Sequence, residues 1–120
     1  MADLSALKKY GIDTEEGLAY CADDPEFYEE MLAEYVNEGA GNVPELKGMF
    51  EAKDWEHYRI IAHSVKSTSR MIGAKEMAER AFEMETAAKE GSTEAIIASH
   101  PQFLEKYDNL IAILQKELGL

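Results

Sequence analysis

The sequence is poor in cysteine, proline and glycine. Cys21 is the one cysteine among 120 residues, which excludes an intramolecular disulfide and suits a reducing compartment. With no partner, this thiol is interpreted as a small core residue. Three prolines and eight glycines leave long helix-favouring runs largely uninterrupted, and strand-like alternation is missing. We therefore expect an all-α fold.

Long apolar runs are also missing. None approaches the roughly 18 residues that a membrane span needs, and residues 1–9 lack the apolar region of a signal peptide. We expect a cytoplasmic location and no membrane partner. A hydrophobic fraction of 46% with 30% charged residues is typical of a globular protein. The length suits one domain, which we take as 1–120.

Positive charge is scarce and unevenly placed. The chain has 24 acidic and 12 basic residues, and a net charge of −12 argues against nucleic-acid binding. Residues 53–75, however, include five basic and only two acidic residues. A positive segment in a negative protein suggests an anionic ligand or an acidic docking partner. Charges that are simply solvated are the alternative.

Capping and breaking residues divide the chain into helices. We expect short helices over 2–10 and, capped by Thr14, over 15–21. Asp24 and Pro25 begin a longer helix that Gly39 ends. Further helices are expected over 43–53, 55–72 and 75–90. Asp54 is the expected cap of the helix over 55–72, and Ser92 is the expected cap of the last helix.

Glycine and proline mark the expected turns. Residues 39–44 are predicted to form a turn or bend between two helices. Gly73 is the expected left-handed residue at the end of the 55–72 helix, and Pro101 is expected to kink or split the last helix. Four longer helices with short connections predict an antiparallel four-helix bundle with short extra N-terminal helices.

The predicted helix over 55–72 has two distinct faces. Its apolar positions share one side, at helical spacing: Trp55, Tyr58, Ile61, Ala62, Val65 and Ile72. A basic stripe of Arg59, His63, Lys66 and Arg70 lies nearly opposite. His63 should therefore be exposed in mid-helix, which disfavours a buried structural histidine and leaves an ordinary surface histidine as the alternative.

An exposed histidine beside a lysine and a serine can carry phosphoryl chemistry. A neutral imidazole nitrogen can attack a phosphoryl group and form phosphohistidine. Lys66, one turn along, can contact the phosphoryl oxygens, and Ser67 can donate a hydrogen bond there. Arg59 and Arg70 would favour an acidic partner.

Several other kinds of site lack their residues. His57 and His63 lie on different sides of the helix and His100 is remote, so we expect no metal site. No glycine-rich phosphate loop is present, and no base is evident beside His63. Without a nucleotide site the chain cannot phosphorylate itself, so a phosphorylated partner must supply the group.

Residues 62–74, Ala-His-Ser-Val-Lys-Ser-Thr-Ser-Arg-Met-Ile-Gly-Ala, resemble the signature of the histidine phosphotransfer (HPt) family. That signature is His-x-Leu-Lys-Gly, then five or six residues, then Gly-Ala or Gly-Leu, which Gly73 and Ala74 match. Val65 replaces the leucine, and Ser67 replaces the frequent glycine. Residues 11–18, 24–28 and 78–91 are also similar to the family pattern.

The resemblance implies a phosphoryl carrier rather than an enzyme. His63 would accept the group from the aspartate of one response-regulator receiver domain and pass it to the aspartate of another, with Lys66 and Ser67 holding the anion. It implies no cofactor in this chain, since any Mg²⁺ would belong to the receiver. The implied partners are receiver domains and a hybrid sensor histidine kinase, and we expect a monomer.

A docking surface is expected around the stripe. Ile60 and Met71 flank it on the side of Ser64, away from the core, and with Arg59 and Arg70 they would meet the partner. Partial cover by a neighbouring helix is the alternative for both apolar residues. The alternative function is a non-catalytic bundle that binds a receiver or another protein without carrying phosphate. A hydrolytic or metal-binding bundle lacks the needed residues.

Overall fold

A computed structural model describes residues 4–120. A 3-10 helix, Leu4–Tyr10, precedes five α-helices: α1 (Thr14–Tyr20), α2 (Pro25–Ala52), α3 (Trp55–Met71), α4 (Lys75–Lys89) and α5 (Thr93–Leu118). The all-α prediction is confirmed. The first helix was expected from Ala2, and that start lies outside the described residues.

The four long helices form a closed bundle. Each of α2 to α4 packs on the next, and α5 packs on both α4 and α2. The connections are so short that neighbouring helices run antiparallel. α2 has 28 residues, and at about 1.5 Å per residue it accounts for the full 42 Å long axis of the molecule.

Aspartates begin three of the helices. The Asp24 carboxylate accepts hydrogen bonds from the backbone N–H groups of Glu26 and Phe27, and Asp54 accepts one from His57, as expected. At α1 the expected cap is wrong by one residue. Asp13 accepts the bond from Glu16 at 3.0 Å, and Thr14 is a buried first residue of the helix. A carboxylate also favours the positive end of the helix dipole.

The expected break at 39–44 is wrong, because α2 runs through it without interruption. Gly39 lies against α5, and a β-carbon there would collide with the side chain of Ile111. Val43 and Leu46 continue the buried face beyond it. Pro44 is exposed and removes one backbone hydrogen bond, which this packing offsets.

α5 is likewise one helix, and Pro101 does not split it. Buried side chains lie on both sides of the proline, including Ile96 and Phe103, so burial holds the two halves in line. Ser92 occupies the N-cap position as expected, but its side chain makes no capping hydrogen bond.

The turn between α3 and α4 depends on Gly73. Its φ of +84° is the expected left-handed conformation. Its carbonyl accepts a 2.8 Å hydrogen bond from the N–H of Asp13, and a β-carbon would strike the Asp13 backbone. Lys75 adds ion pairs to Asp13 and Glu16. The N-terminal segment is thus fastened to the end of α3.

Candidate functional site

His63 lies near the middle of α3 with its side chain 57% exposed. The neighbouring positions Ala62 and Val65 are fully buried. The apolar face of α3 therefore anchors the helix in the bundle and turns the imidazole outward, as its periodicity predicts.

A carboxylate from α4 holds the inner nitrogen of this imidazole. Oε2 of Glu85 lies 2.6 Å from Nδ1 of His63, and the Glu85 side chain is only 15% exposed. Burial by itself would raise the pKa of Glu85. The contacts with Lys66 and His63 outweigh it, so the pKa of this carboxyl lies below its ordinary value.

The ionised carboxylate determines which imidazole nitrogen carries the proton. An ionised carboxylate only accepts hydrogen bonds, so Nδ1 must be the donor. In the neutral ring the lone pair then resides on Nε2. The site thus contains an imidazole whose Nδ1 is hydrogen-bonded to Glu85 and whose Nε2 carries the lone pair that can react.

Lys66 is less exposed than its place in the basic stripe predicts. Only 14% of its side chain is exposed, and Nζ lies 2.7 Å from Oε1 of Glu85. Oε1 is buried, and the Lys66 ammonium is the cation that neutralises it. Nζ also lies 5.3 Å from the centroid of the Phe82 ring. Glu85 therefore bridges His63 and Lys66.

The other predicted site residues differ in how far they are exposed to solvent. Ser67 and Arg70 are exposed, and Arg59, Ser64 and Met71 are half-buried. Ile60 is 49% exposed, so its neighbours leave about half of it uncovered. Within the described residues no carboxylate pairs with Arg59 or Arg70.

The other two histidines have structural surroundings. His57 contacts Asp54 at 2.7 Å on the surface, and His100 is buried against Tyr58. Across the described part of the chain no cluster of histidine, cysteine and carboxylate side chains could hold a metal ion. No helix found there is long and apolar enough to cross a membrane.

Sequence reasoning missed Glu85 and Phe82. Glu85 directly follows the buried Met84 and lies one turn from the buried Ala88. A carboxylate placed there needs a cation or donor from another helix, and that signal was available. The partner could not be found from sequence, because it depends on how α3 and α4 are aligned.

Comparison with known proteins agrees with this geometry. The Hpt domain matches residues 30–117. A phosphorelay intermediate protein, rdeA of Dictyostelium discoideum, is 26% identical over 95 residues, which cover 79% of this chain and 37% of that protein. The chain thus spans well under half of this relative's length. No solved structure gives a significant match. The match to most of the chain, on a helical bundle with an exposed mid-helix histidine, places the protein in the Hpt domain family.

Proposed function

We propose that this protein is a phosphoryl carrier in a two-component phosphorelay. His63 accepts a phosphoryl group from the aspartate of one receiver domain and passes it to the aspartate of another. The observation that carries the proposal is a histidine side chain that is 57% exposed and whose Nδ1 lies 2.6 Å from Glu85. Family membership supports the same chemistry.

The transfer step follows from the tautomer. The Nε2 lone pair attacks phosphorus, an N–P bond forms, and the P–O bond to the donor aspartate breaks as its carboxylate leaves. The proton stays on Nδ1, so the ring becomes a phosphoimidazolium cation. The Glu85 carboxylate neutralises the positive charge that develops. Reversal of these steps on a second aspartate completes the relay.

Cations and hydroxyls near His63 bind the transferred group. Ser67, exposed one turn along α3, can donate a hydrogen bond to a phosphoryl oxygen. Lys66 supplies positive charge while it also holds Glu85. Arg59 and Arg70 have no acidic partner among residues 4–120 and attract the acidic active site of a receiver.

The proposed partners are receiver domains and a hybrid sensor kinase in the cytoplasm. The protein acts as a monomer without kinase activity or a cofactor of its own, and any Mg²⁺ belongs to the receiver. The docking surface includes Ile60, whose exposed side chain offers apolar contact area on the helix that carries His63. Ser64 and Met71 lie on the same side of that helix and belong to the same surface.

Incubation with a labelled phospho-receiver tests this proposal, with His63→Gln as the matched variant. Acid-labile, base-stable label on the wild type and none on His63→Gln is the expected result. His57→Gln, at the exposed histidine of the same helix, should still take label. A complex that forms with the receiver but leaves both proteins unlabelled would instead favour the binding-only function.

A further inference from the structure

Phe82 is the apolar exception on the outer face of α4, a helix that the structure describes in full. Its side chain is 46% exposed. The other exposed positions of this helix are all charged: Lys75, Glu76, Glu79, Glu83 and Lys89. A single exposed apolar residue needs no explanation by itself, but this one lies over a residue of the site.

The Phe82 ring covers Lys66. Nζ lies 5.3 Å from the ring centroid, within the range of a cation–π interaction. Glu85, one turn along α4, holds the same ammonium group at 2.7 Å. A lysine ammonium is strongly hydrated when free, yet this side chain is only 14% exposed.

Covering the ion pair changes how it behaves. Oε1 of Glu85 is buried, and a pair shielded from water is stronger and less sensitive to salt than an exposed one. Without the ring, the Lys66 ammonium regains water by swinging outward. Glu85 would then be held by His63 alone, and a carboxylate that can rotate no longer fixes the imidazole.

We propose that Phe82 is a positioning residue for phosphoryl transfer, which holds Lys66 on Glu85 and so keeps Nε2 of His63 directed outward. This inference rests on the proposed function. The effect passes through Lys66 and Glu85, and Phe82 needs no contact with the phosphoryl group.

The test compares Phe82→Ala with Phe82→Tyr, which keeps the aromatic face. Tyr20→Ala is the control, since it removes another exposed aromatic side chain, from α1. The first readout is the ¹⁵N NMR spectrum of the His63 ring, which reports the tautomer without any partner. The second is the single-turnover rate of transfer at a saturating phospho-receiver concentration, together with the half-saturating concentration, in about 0.1 M and about 1 M salt. The Debye length falls from about 10 Å to about 3 Å between these two conditions.

Phe82→Ala should mix the two tautomers and lower the saturating transfer rate about three- to tenfold, with a larger loss in high salt. Phe82→Tyr and Tyr20→Ala should each match the wild type in both readouts. An unchanged tautomer, or a rise in the half-saturating receiver concentration alone, would overturn the proposal and make Phe82 a docking residue. If the wild type accepts no phosphoryl group, the relay function fails, whereas a changed tautomer in Phe82→Ala would still support the positioning role.

Discussion

The hydroxyl oxygen of Tyr58 lies 2.7 Å from Nδ1 of His100, in a buried contact between α3 and α5. Phe50 of α2 stacks on the same imidazole with a centroid separation of 3.8 Å. Burial raises the pKa of Tyr58, so its hydroxyl stays protonated and donates a hydrogen bond to Nδ1. Burial, together with the charge of Lys47, lowers the pKa of His100. The contact therefore requires a neutral His100.

Acid should weaken the bundle through His100. The unfolded chain takes up this proton at a higher pH than the folded one, so the stabilising contribution is complete above about pH 6.5 and declines as the pH falls below it. Thermal unfolding of His100→Gln, which can still accept from Tyr58, should depend less on pH between about 7.5 and 5.5 than that of the wild type. Parallel curves for the two proteins would contradict this origin of the acid sensitivity.

Glu85→Gln should slow phosphoryl transfer while the bundle stays folded. The amide can still accept from Nδ1 of His63, but it no longer neutralises the imidazolium or Lys66. A hydrogen bond to a charged group contributes about 1.5–3 kcal/mol, so we expect about a tenfold to hundredfold lower rate in a single-turnover assay. Glu83→Gln, at an exposed position of the same helix, is the control. Equal rates for the two variants would exclude Glu85 from the reaction.

Replacing a glycine of α2 by alanine should raise the free energy of unfolding at two positions and lower it at a third. A β-carbon at Gly41 or Gly48 would meet no atom within 4 Å, so each change should raise the free energy of unfolding by about 0.5–1 kcal/mol. At Gly39 it would collide with Ile111, and overpacking there should cost about 1–3 kcal/mol. Urea titrations measure all three, and a Gly39→Ala variant as stable as the wild type would mean that the Ile111 side chain moves aside without cost.

A charge at Ile60 should slow transfer by weakening receiver docking. Ile60→Glu removes an exposed apolar contact and repels an acidic partner, so the second-order rate constant for transfer from the receiver should fall about tenfold or more. The melting temperature should not change, because about half of the side chain is already in water. Ile97→Glu, which changes a residue 50% exposed on α5, is the matched control. Unchanged transfer by Ile60→Glu would remove this residue from the docking surface.

Local sequence signals predicted the ends of helices well where the deciding contacts lie close in the chain. Asp24 and Asp54 act through bonds to residues within a few positions, so side-chain chemistry alone reveals them. The left-handed turn at Gly73 is also local, since its N–H bonds to Arg70, but its contact with Asp13 is not a local signal. Gly39 failed as a stop signal because its neighbour Ile111 belongs to another helix. The missing side chain of Gly39 lets α2 and α5 pack closely, and it does not mark a turn.

The site was predictable along α3 but not across to α4. Spacing within one helix placed His63 outward and Lys66 beside it. The Glu85 carboxylate reaches both from a position 22 residues after His63, and no periodicity in either helix sets that alignment. As a result the lysine was expected in solvent, whereas it is folded against Glu85 and Phe82.

Trp55, the single tryptophan, gives the protein a built-in optical probe. Its indole N–H donates a 3.1 Å hydrogen bond to Thr93 and its ring packs edge-on against Tyr58. Its emission therefore reports the end of α3 where His100 is buried, while amide exchange at Gly73 reports the opposite end. If the two signals change at one denaturant concentration, the bundle unfolds as a single cooperative unit. If emission changes first in acid, the His100 end opens before the rest.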